Sequence, residues 1–444
     1  MKNHNFHLQN QQMKQQKIFS RIGCASLAFV SFISSCQTSN FQNIEITKGY
    51  KTGFMHQVSE PSIAINPKNT EEIAAGSIID NYHFSSDGGK TWTSRRIESE
   101  YGVWGDPVLT FDRSGKVYYF HLANYEKTSW IDRIVCQVAP TVDTEFSNGT
   151  FPKPNGSKAQ DKHWVALHPK NNTLALTWTQ FDKYDSQERL DSSHIMFSRS
   201  FDQGQSWSDP VRINKFGGDC IDDDNTVEGA VPTYGPNGEL YVAWSGPKGL
   251  VFQKSLDGGT TWLSQEKLIA KHPGGWTIDV PGINRCNGLP VLICDQSNGP
   301  HQGTLYLNWA DQRNSANDTD IWLMKSTDQG DTWSAPIRVN QDEPGKHQFF
   351  TWITIDQTNG NLHFVYLDRR KYSDNSTDVI WCTSKDGGKT FQEKCISDEP
   401  FLPRKEVFYG DYLNIAAHNG VIRPIWPRMD KGKMSLWTAL INEK

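Results

Sequence analysis

Ser255-Leu256-Asp257-Gly258-Gly259-Thr260-Thr261-Trp262 is one of five copies of a single octapeptide, Ser-x-Asp-x-Gly-x-Thr/Ser-Trp/Phe. The others are Ser85 to Trp92, Ser200 to Trp207, Ser326 to Trp333 and Ser384 to Phe391. Each copy sets Asp and hydroxyl side chains around a Gly, the chemistry of a tight hairpin: the oxygens bond local amides, and Gly accepts positive φ without steric cost. The closing Trp or Phe anchors that hairpin in apolar packing. A motif that recurs in this way marks a repeat architecture.

The box aspartates Asp87, Asp202, Asp257, Asp328 and Asp386 are spaced 115, 55, 71 and 58 residues apart, so the first interval has room for a unit without a box. A second repeat fills it: an apolar alternating strand, a turn, then a strand rich in aromatics, as in Pro61 to Ile65 followed by Ile73 to Ile78. Similar pairs begin near Pro107, Trp164, Ala230, Leu289, Phe350 and Tyr412, giving seven units, two of them boxless. Period-two alternation with Gly and Asn turns, in units of roughly 40 to 70 residues, predicts an all-β β-propeller of four-stranded antiparallel blades. Seven blades is the favoured count and six the alternative. The last unit supplies three strands, and the isolated segment Asn43 to Thr47 is placed to complete it, which would close the ring and remove a sheet edge.

Residues 1–36 read as a leader rather than as part of the fold. Lys14, Lys17 and Arg21 precede an apolar run from Ile22 to Ile33, which ends in Ser34-Ser35-Cys36. Met13-Lys14 reads as a more natural start than Met1. Ile33-Ser34-Ser35-Cys36 resembles a bacterial lipobox, which implies cleavage before Cys36, lipidation of its thiol and a place in the bacterial cell envelope, in the outer membrane or at the cell surface or periplasm. The alternative is an ordinary secretory signal. Residues 37–444 then form a single propeller domain, because no linker or low-complexity stretch interrupts the repeats. A net charge of -5 without a basic run argues against nucleic acid as a partner and leaves the lipid anchor as the only membrane contact.

Export puts Cys136, Cys220, Cys286, Cys294, Cys382 and Cys395 in an oxidising compartment, where structural bridges or free buried thiols outweigh a metal site, since the spacing is not that of zinc ligands. Cys382 and Cys395 flank one box, and Cys286 and Cys294 lie close in sequence; connectivity stays open. No cofactor is expected. The acidic run Asp219 to Asn225 is the one candidate for a structural calcium ion, against a plain solvated loop.

If the boxes join the third and fourth strands of each blade, they occupy one face, and the starts of first strands and ends of second strands meet on the other. That face collects Glu60, Asp106, Asp161, His163, Glu228, Arg285, His347 and Asp411 before first strands, with Arg313, Arg369 and Arg370 after second strands and Trp104, Trp276 and Trp352 nearby. Carboxylates, arginines and aromatics at one mouth suit sugar chemistry, in which an acid protonates the leaving oxygen, a second carboxylate assists and Trp stacks on the ring.

The octapeptide resembles the Asp-box of the sialidase superfamily, and the resemblance covers nearly all of the chain after the leader at the level of repeats. It implies an exo-sialidase-like glycoside hydrolase acting on terminal sugars of a glycan, acidic ones included. Glu228-Gly229-Ala230-Val231-Pro232, followed by Asn237-Gly238 and then Leu240 to Trp244, is similar to the segment that carries the family's catalytic Glu. Asp106-Pro107, followed by Phe111-Asp112-Arg113-Ser114-Gly115, looks like the opening of the family's second blade. The chain also departs from the family. Its opening strand reads Glu60-Pro61-Ser62-Ile63 without the expected Arg, Trp244-Ser245 stands where a second Arg is expected, and Phe349-Phe350 replaces the nucleophilic Tyr. Arg313 fits the third arginine position, and Tyr412, beside Asp411, is the nearest phenol.

The candidate catalytic residues are therefore Glu228, Asp106, Asp411 and Tyr412. The candidate glycan-binding residues are Arg313, Arg369, Arg370, His163, His347, Trp104 and Trp276. Two other classes compete: a lyase on uronic-acid glycans, with His163, His347 or Tyr412 as base, and a propeller that binds glycan or protein without turnover.

Overall fold

A computed structural model describes residues 41–51, 58–126 and 130–443; the leader and Cys36 lie outside the described residues. The described residues form seven antiparallel blades and contain no helix. Blade 1 is built from Ser62–Ile65, Ile73–Ser77, Asn81–Ser85 and Thr93–Arg96. Blade 2 has three strands, Val108–Phe111, Val117–Ala123 and Arg133–Ala139, with the place of a fourth taken by a single bridge between Cys136 and Thr150. Blades 3 to 6 begin at Ala159, Glu228, Val291 and Gln348, and each has four strands. In blade 3 the inner strand starts five residues before the predicted Trp164, because Ala159 to Asp161 continue the pairing past a register slip.

The seventh blade closes the ring. Its three C-terminal strands, Asn414–His418, Val421–Asp430 and Lys433–Asn442, are completed by Gln42–Glu45, whose Ile44 lies opposite Thr438. Asn43 ties this strand to the neighbouring blade by donating to the Ile396 carbonyl at 2.8 Å. Arg423 does the same across the seam, donating to the Gly88 carbonyl at 2.8 Å. Neighbouring blades are stitched together in the same way elsewhere: Leu109 N donates to Ser62 Oγ at 3.0 Å, and Thr177 Oγ1 to the Ala230 carbonyl at 2.8 Å.

All five boxes connect a third strand to a fourth and share one hydrogen-bond pattern. In the Asp257 box, Ser255 Oγ donates to Asp257 Oδ1 at 2.7 Å, while Thr261 donates through its amide at 2.8 Å and its hydroxyl at 2.7 Å. The aromatic that ends the box packs on the preceding blade, Trp262 on Phe197 at 5.0 Å and Trp333 on Phe252 at 5.4 Å. Gly259 has φ +91°, and a Cβ there would lie 2.5 Å from the Phe197 ring, so only glycine lets the blades meet this closely. The boxes are thus inter-blade fasteners. Asp257→Ala should lower the melting temperature of the propeller and leave catalytic turnover unchanged; turnover lost in parallel with stability would contradict a purely structural box.

No disulfide joins the six cysteines, five of which are buried. Cys382 pairs in register with Glu393 and Cys395 with Ile380, so the two thiols that flank the last box are offset along the hairpin rather than opposed.

Candidate functional site

The face opposite the boxes is organised by a recurring backbone feature. Just before or at the start of the inner strands the chain takes a left-handed conformation, at Glu60 (φ 53°), Asp106 (φ 50°), Lys162 (φ 45°) and Phe350 (φ 52°), and at Gly229 and Gly410. In blades 3, 4 and 6 the strand register slips at this point. A non-glycine residue held at positive φ costs about 1–3 kcal/mol and persists only where the surroundings impose it. Here the surroundings are ionic.

Lys162 lies at the centre. Its ammonium forms a short ion pair with Asp411 and lies 3.5 Å from Asp106 Oδ2 and 3.6 Å from Glu60 Oε1. Arg285 grips Asp411 through two nitrogens, Nε at 2.8 Å, and reaches Asp222 at 3.0 Å. Tyr184 donates its hydroxyl to the same Asp222 oxygen at 2.7 Å. Asp161 and Glu228 complete the group, both buried, and neither oxygen of Glu228 has a hydrogen-bond partner among the described residues. Asp106 is the most open of the carboxylates paired with Lys162, its side chain 13 % exposed.

Six carboxyl groups thus face two cations, too few to keep all six ionised in a buried setting, and the protonation states divide accordingly. Burial pushes Asp161 up to about 7 despite the adjacent Lys162. Burial, with Asp106 close by, holds Glu60 well above its ordinary value. Burial does the same to Glu228, reinforced by Asp222 and Asp161. Asp411 goes the other way: burial alone would raise it, but Arg285 and Lys162 outweigh burial and hold it below the usual carboxylate range. The mouth therefore combines an ionised Asp411 with carboxyls, Asp161, Glu60 and Glu228, that burial favours in the protonated form.

Beneath the cluster the channel narrows to a cavity of about 20 Å3, room for one water, lined by Trp164, Phe350, Trp352 and Tyr412. Trp164 lies 4.4 Å from Trp352 and 5.1 Å from Tyr412, so the axis is plugged with aromatic rings.

The structure gathers Glu228, Asp106 and Asp411 in one cluster with Tyr412 just below. It does not gather the predicted arginines. Arg313 is paired with Asp311 of its own blade and lies 4.2 Å from the Trp322 ring centroid; Arg370 is paired with Asp368 and Glu393. Arg369 is buried against Phe349 at 4.9 Å, donating to Thr377 and to the Pro281 carbonyl. Arg313 and Arg370 are thus satisfied within their own blades, whereas Arg369 has no carboxylate partner and its Nη2 is buried without a hydrogen bond among the described residues. His347 bonds Thr319 at 2.9 Å, and His163 is sealed, neutral, with burial lowering it to about 3. Trp276 is buried, whereas Trp104 is 45 % exposed.

Three members of the site were not anticipated: Lys162, Asp222 and Tyr184. Lys162 takes the same left-handed conformation as Glu60 and Asp106, at the register slip inside its strand rather than before it, a correspondence visible once the units are aligned on that position. Asp222 belongs to the acidic run considered for calcium. Its carboxylates diverge instead of converging, Asp222 toward Arg285, Asp224 to the Thr277 amide at 2.8 Å and Asp219 to the Thr226 hydroxyl at 3.1 Å. Among the described residues no group of three or more His, Cys, Asp or Glu is arranged to hold a metal ion.

Solved structures of similar shape place this architecture. The PL25 ulvan lyase, a polysaccharide lyase, aligns with a TM-score of 0.53 at 12% identity, over 87% of this chain and 94% of its own. The fold is a seven-bladed β-propeller of antiparallel blades. A Hadza microbial sialidase aligns at 0.47 and 14% identity, over 84% of this chain and 73% of its own. A protein of unknown function from Dyadobacter fermentans aligns at 0.49 and 11% identity, over 90% and 98%. No family model and no curated protein matches the chain. At such identities the likeness is one of fold, and the propeller's chemistry has to be argued from its own residues.

Proposed function

We propose that this propeller is a glycan-processing enzyme, a glycoside hydrolase whose reaction centre is the ionic cluster at the mouth. The observation that carries the reading is the buried grouping of carboxyls around Lys162 and Arg285, in which burial raises Asp161 and Glu60 while the two cations hold Asp411 below the usual carboxylate range. Carboxyl pairs pushed apart in this way supply the acid and the base that glycosidic cleavage requires. In the proposed reaction Asp161 gives its proton to the glycosidic oxygen as the bond from the anomeric carbon breaks. Asp106, open to the mouth, stabilises the cationic sugar. Water then adds to the anomeric carbon and its proton returns to the cluster. Lys162 and Arg285 hold Asp411 and keep the carboxyls in place.

The charge balance also bears on the substrate. Both central cations are already matched by carboxylates, and Arg313 and Arg370 are paired with carboxylates of their own blades, so none of these four offers an anionic sugar a free cation. A neutral or amino sugar fits the mouth better than a sialic or uronic acid. Two of the three base candidates of the lyase alternative are poorly placed, since His163 is sealed and Tyr412 sits in the aromatic plug, while His347 has its Nδ1 bonded to Thr319. The leader supports export to the cell envelope with a lipid on Cys36; an unmodified mature chain in membrane extracts would contradict that anchor.

An acid that must be protonated to act loses function as pH rises through its folded-state value. Turnover should therefore fall above about pH 7, and Asp161→Asn should abolish most of the activity together with that limb. A variant that keeps both the rate and the pH limb of the parent would overturn the assignment.

A further inference from the structure

Three large aromatics stand exposed on one blade, all on the face of the ionic cluster. Trp104 is 45 %, Tyr125 53 % and Trp130 44 % exposed, and all three belong to the mouth-side loops of blade 2. Other exposed apolar residues either lie inside boxes on the opposite face, as Phe201 and Leu256 do, or stand on mouth-side loops of other blades without a second exposed aromatic beside them, as Leu190, Phe216, Ile221 and Leu402 do. Such a group on a single blade is unlike scattered surface hydrophobes and marks a contact surface.

Two of these rings, Tyr125 and Trp130, are held rather than loose. Tyr125 meets Tyr101 edge-on at 5.3 Å, and the Arg133 guanidinium lies 5.0 Å from the Tyr125 ring centroid. Arg133 is itself fixed by Asp132 at 2.7 Å and Glu126 at 2.9 Å. Trp130 meets Tyr184 edge-on at 5.1 Å, and Tyr184 is the residue whose hydroxyl is bonded to Asp222. Through Asp222 and Arg285 the shelf is continuous with Asp411 and Lys162. Flat rings beside a charged, hydrogen-bonding edge match a pyranose, which offers an apolar C–H face and a rim of hydroxyls. Rings fixed before binding lose little entropy when a ligand settles on them.

We infer that the shelf formed by Tyr125 and Trp130 is a second sugar subsite, which holds the next residues of a neutral oligosaccharide whose cleaved bond lies at the cluster. The enzyme's substrate is then a chain rather than a lone terminal sugar. This rests on the glycan reading above, and the test separates the two.

Binding and turnover would be measured with cello-, manno-, xylo- and chito-oligosaccharides from disaccharide to hexasaccharide, using the whole mature protein, Trp130→Ala and Tyr125→Ala. Both residues are exposed, and melting curves check that each variant is folded. The expected result is affinity that rises with chain length in the parent, and a loss of roughly tenfold in either variant, about 1.4 kcal/mol, for the long chains only. Length-dependent binding lost in the variants supports the subsite even if no product forms, in which case the hydrolase reading alone fails. Turnover that is insensitive to both substitutions at every length overturns the subsite and leaves the hydrolase reading intact. Failure of every oligosaccharide to bind, or a wild-type dimer that Trp130→Ala dissociates, overturns the subsite in favour of another occupant.

Discussion

Replacing Lys162 by methionine is expected to destabilise the folded propeller by about 3–5 kcal/mol near pH 8, the usual consequence of removing one partner from a buried ion pair. The ammonium is 7 % exposed and is shared among Asp411, Asp106 and Glu60. Without it, Arg285 alone opposes the carboxylates. The sign of the pH dependence follows from the shifts. Burial and nearby carboxylates already hold Glu60 above its ordinary value, and burial raises Asp161 to about 7, so the folded state binds more protons than the unfolded chain between about pH 4 and 7. These groups therefore lower stability as pH rises across that window. Losing Lys162 pushes the carboxyls higher still, so the gap between variant and parent should widen from pH 5 to pH 8. Asp411 behaves oppositely. Its depressed value means that its stabilising contribution is present above the unfolded carboxylate range and is lost only at strongly acidic pH. Urea denaturation across that range measures all of this, and a penalty below about 1 kcal/mol, or one indifferent to pH, would contradict the central role of Lys162.

The second large effect is on rate. Asp106→Asn should reduce turnover by roughly 10²–10⁴-fold, the range for removing a group that acts directly in proton transfer or charge stabilisation. It should do so without loss of stability, because the amide is nearly isosteric with the carboxyl and Lys162 keeps its ion pair with Asp411. Paired measurements of kcat and melting temperature separate this from misfolding. A variant as active as the parent would remove Asp106 from the reaction centre.

The fold was largely legible because its decisive chemistry is local. A box is eight residues whose Ser, Asp, Gly and Thr bond one another, so each hairpin announces itself, and the remaining strands follow by alternation. Ring closure by the segment around Asn43 could be anticipated from an unpaired strand at one end and a three-stranded unit at the other. Blade 2 was harder. It has no box, and its outer position is a single bridge at Thr150 with no strand pattern to read.

The site was legible only in part, for the opposite reason. Knowing which strand ends share a face located Glu60, Asp106, Asp161, Glu228, Arg285 and Asp411. What each does depends on partners remote in the chain, such as Lys162 and Asp411, which are 249 residues apart. A lysine between Asp161 and His163 carries no local sign that it will be the centre of a carboxylate cluster. Asp222, in an acidic run, looks solvated until Arg285 and Tyr184 are seen to hold it. The arginines assigned to an anionic substrate fail to converge because Asp311 and Asp368, each two residues from its guanidinium partner, engage Arg313 and Arg370 first.

The most direct test of the account is the origin of the oxygen in the product. The mature protein and its Asp106→Asn variant would be incubated in H2 18O with neutral, sialylated and uronic-acid glycans, and the products weighed. The account predicts products from a neutral glycan that carry one heavy oxygen at the new reducing end, formed by the parent and nearly absent with the variant. Unsaturated products without heavy oxygen, or intact glycans throughout, would contradict it.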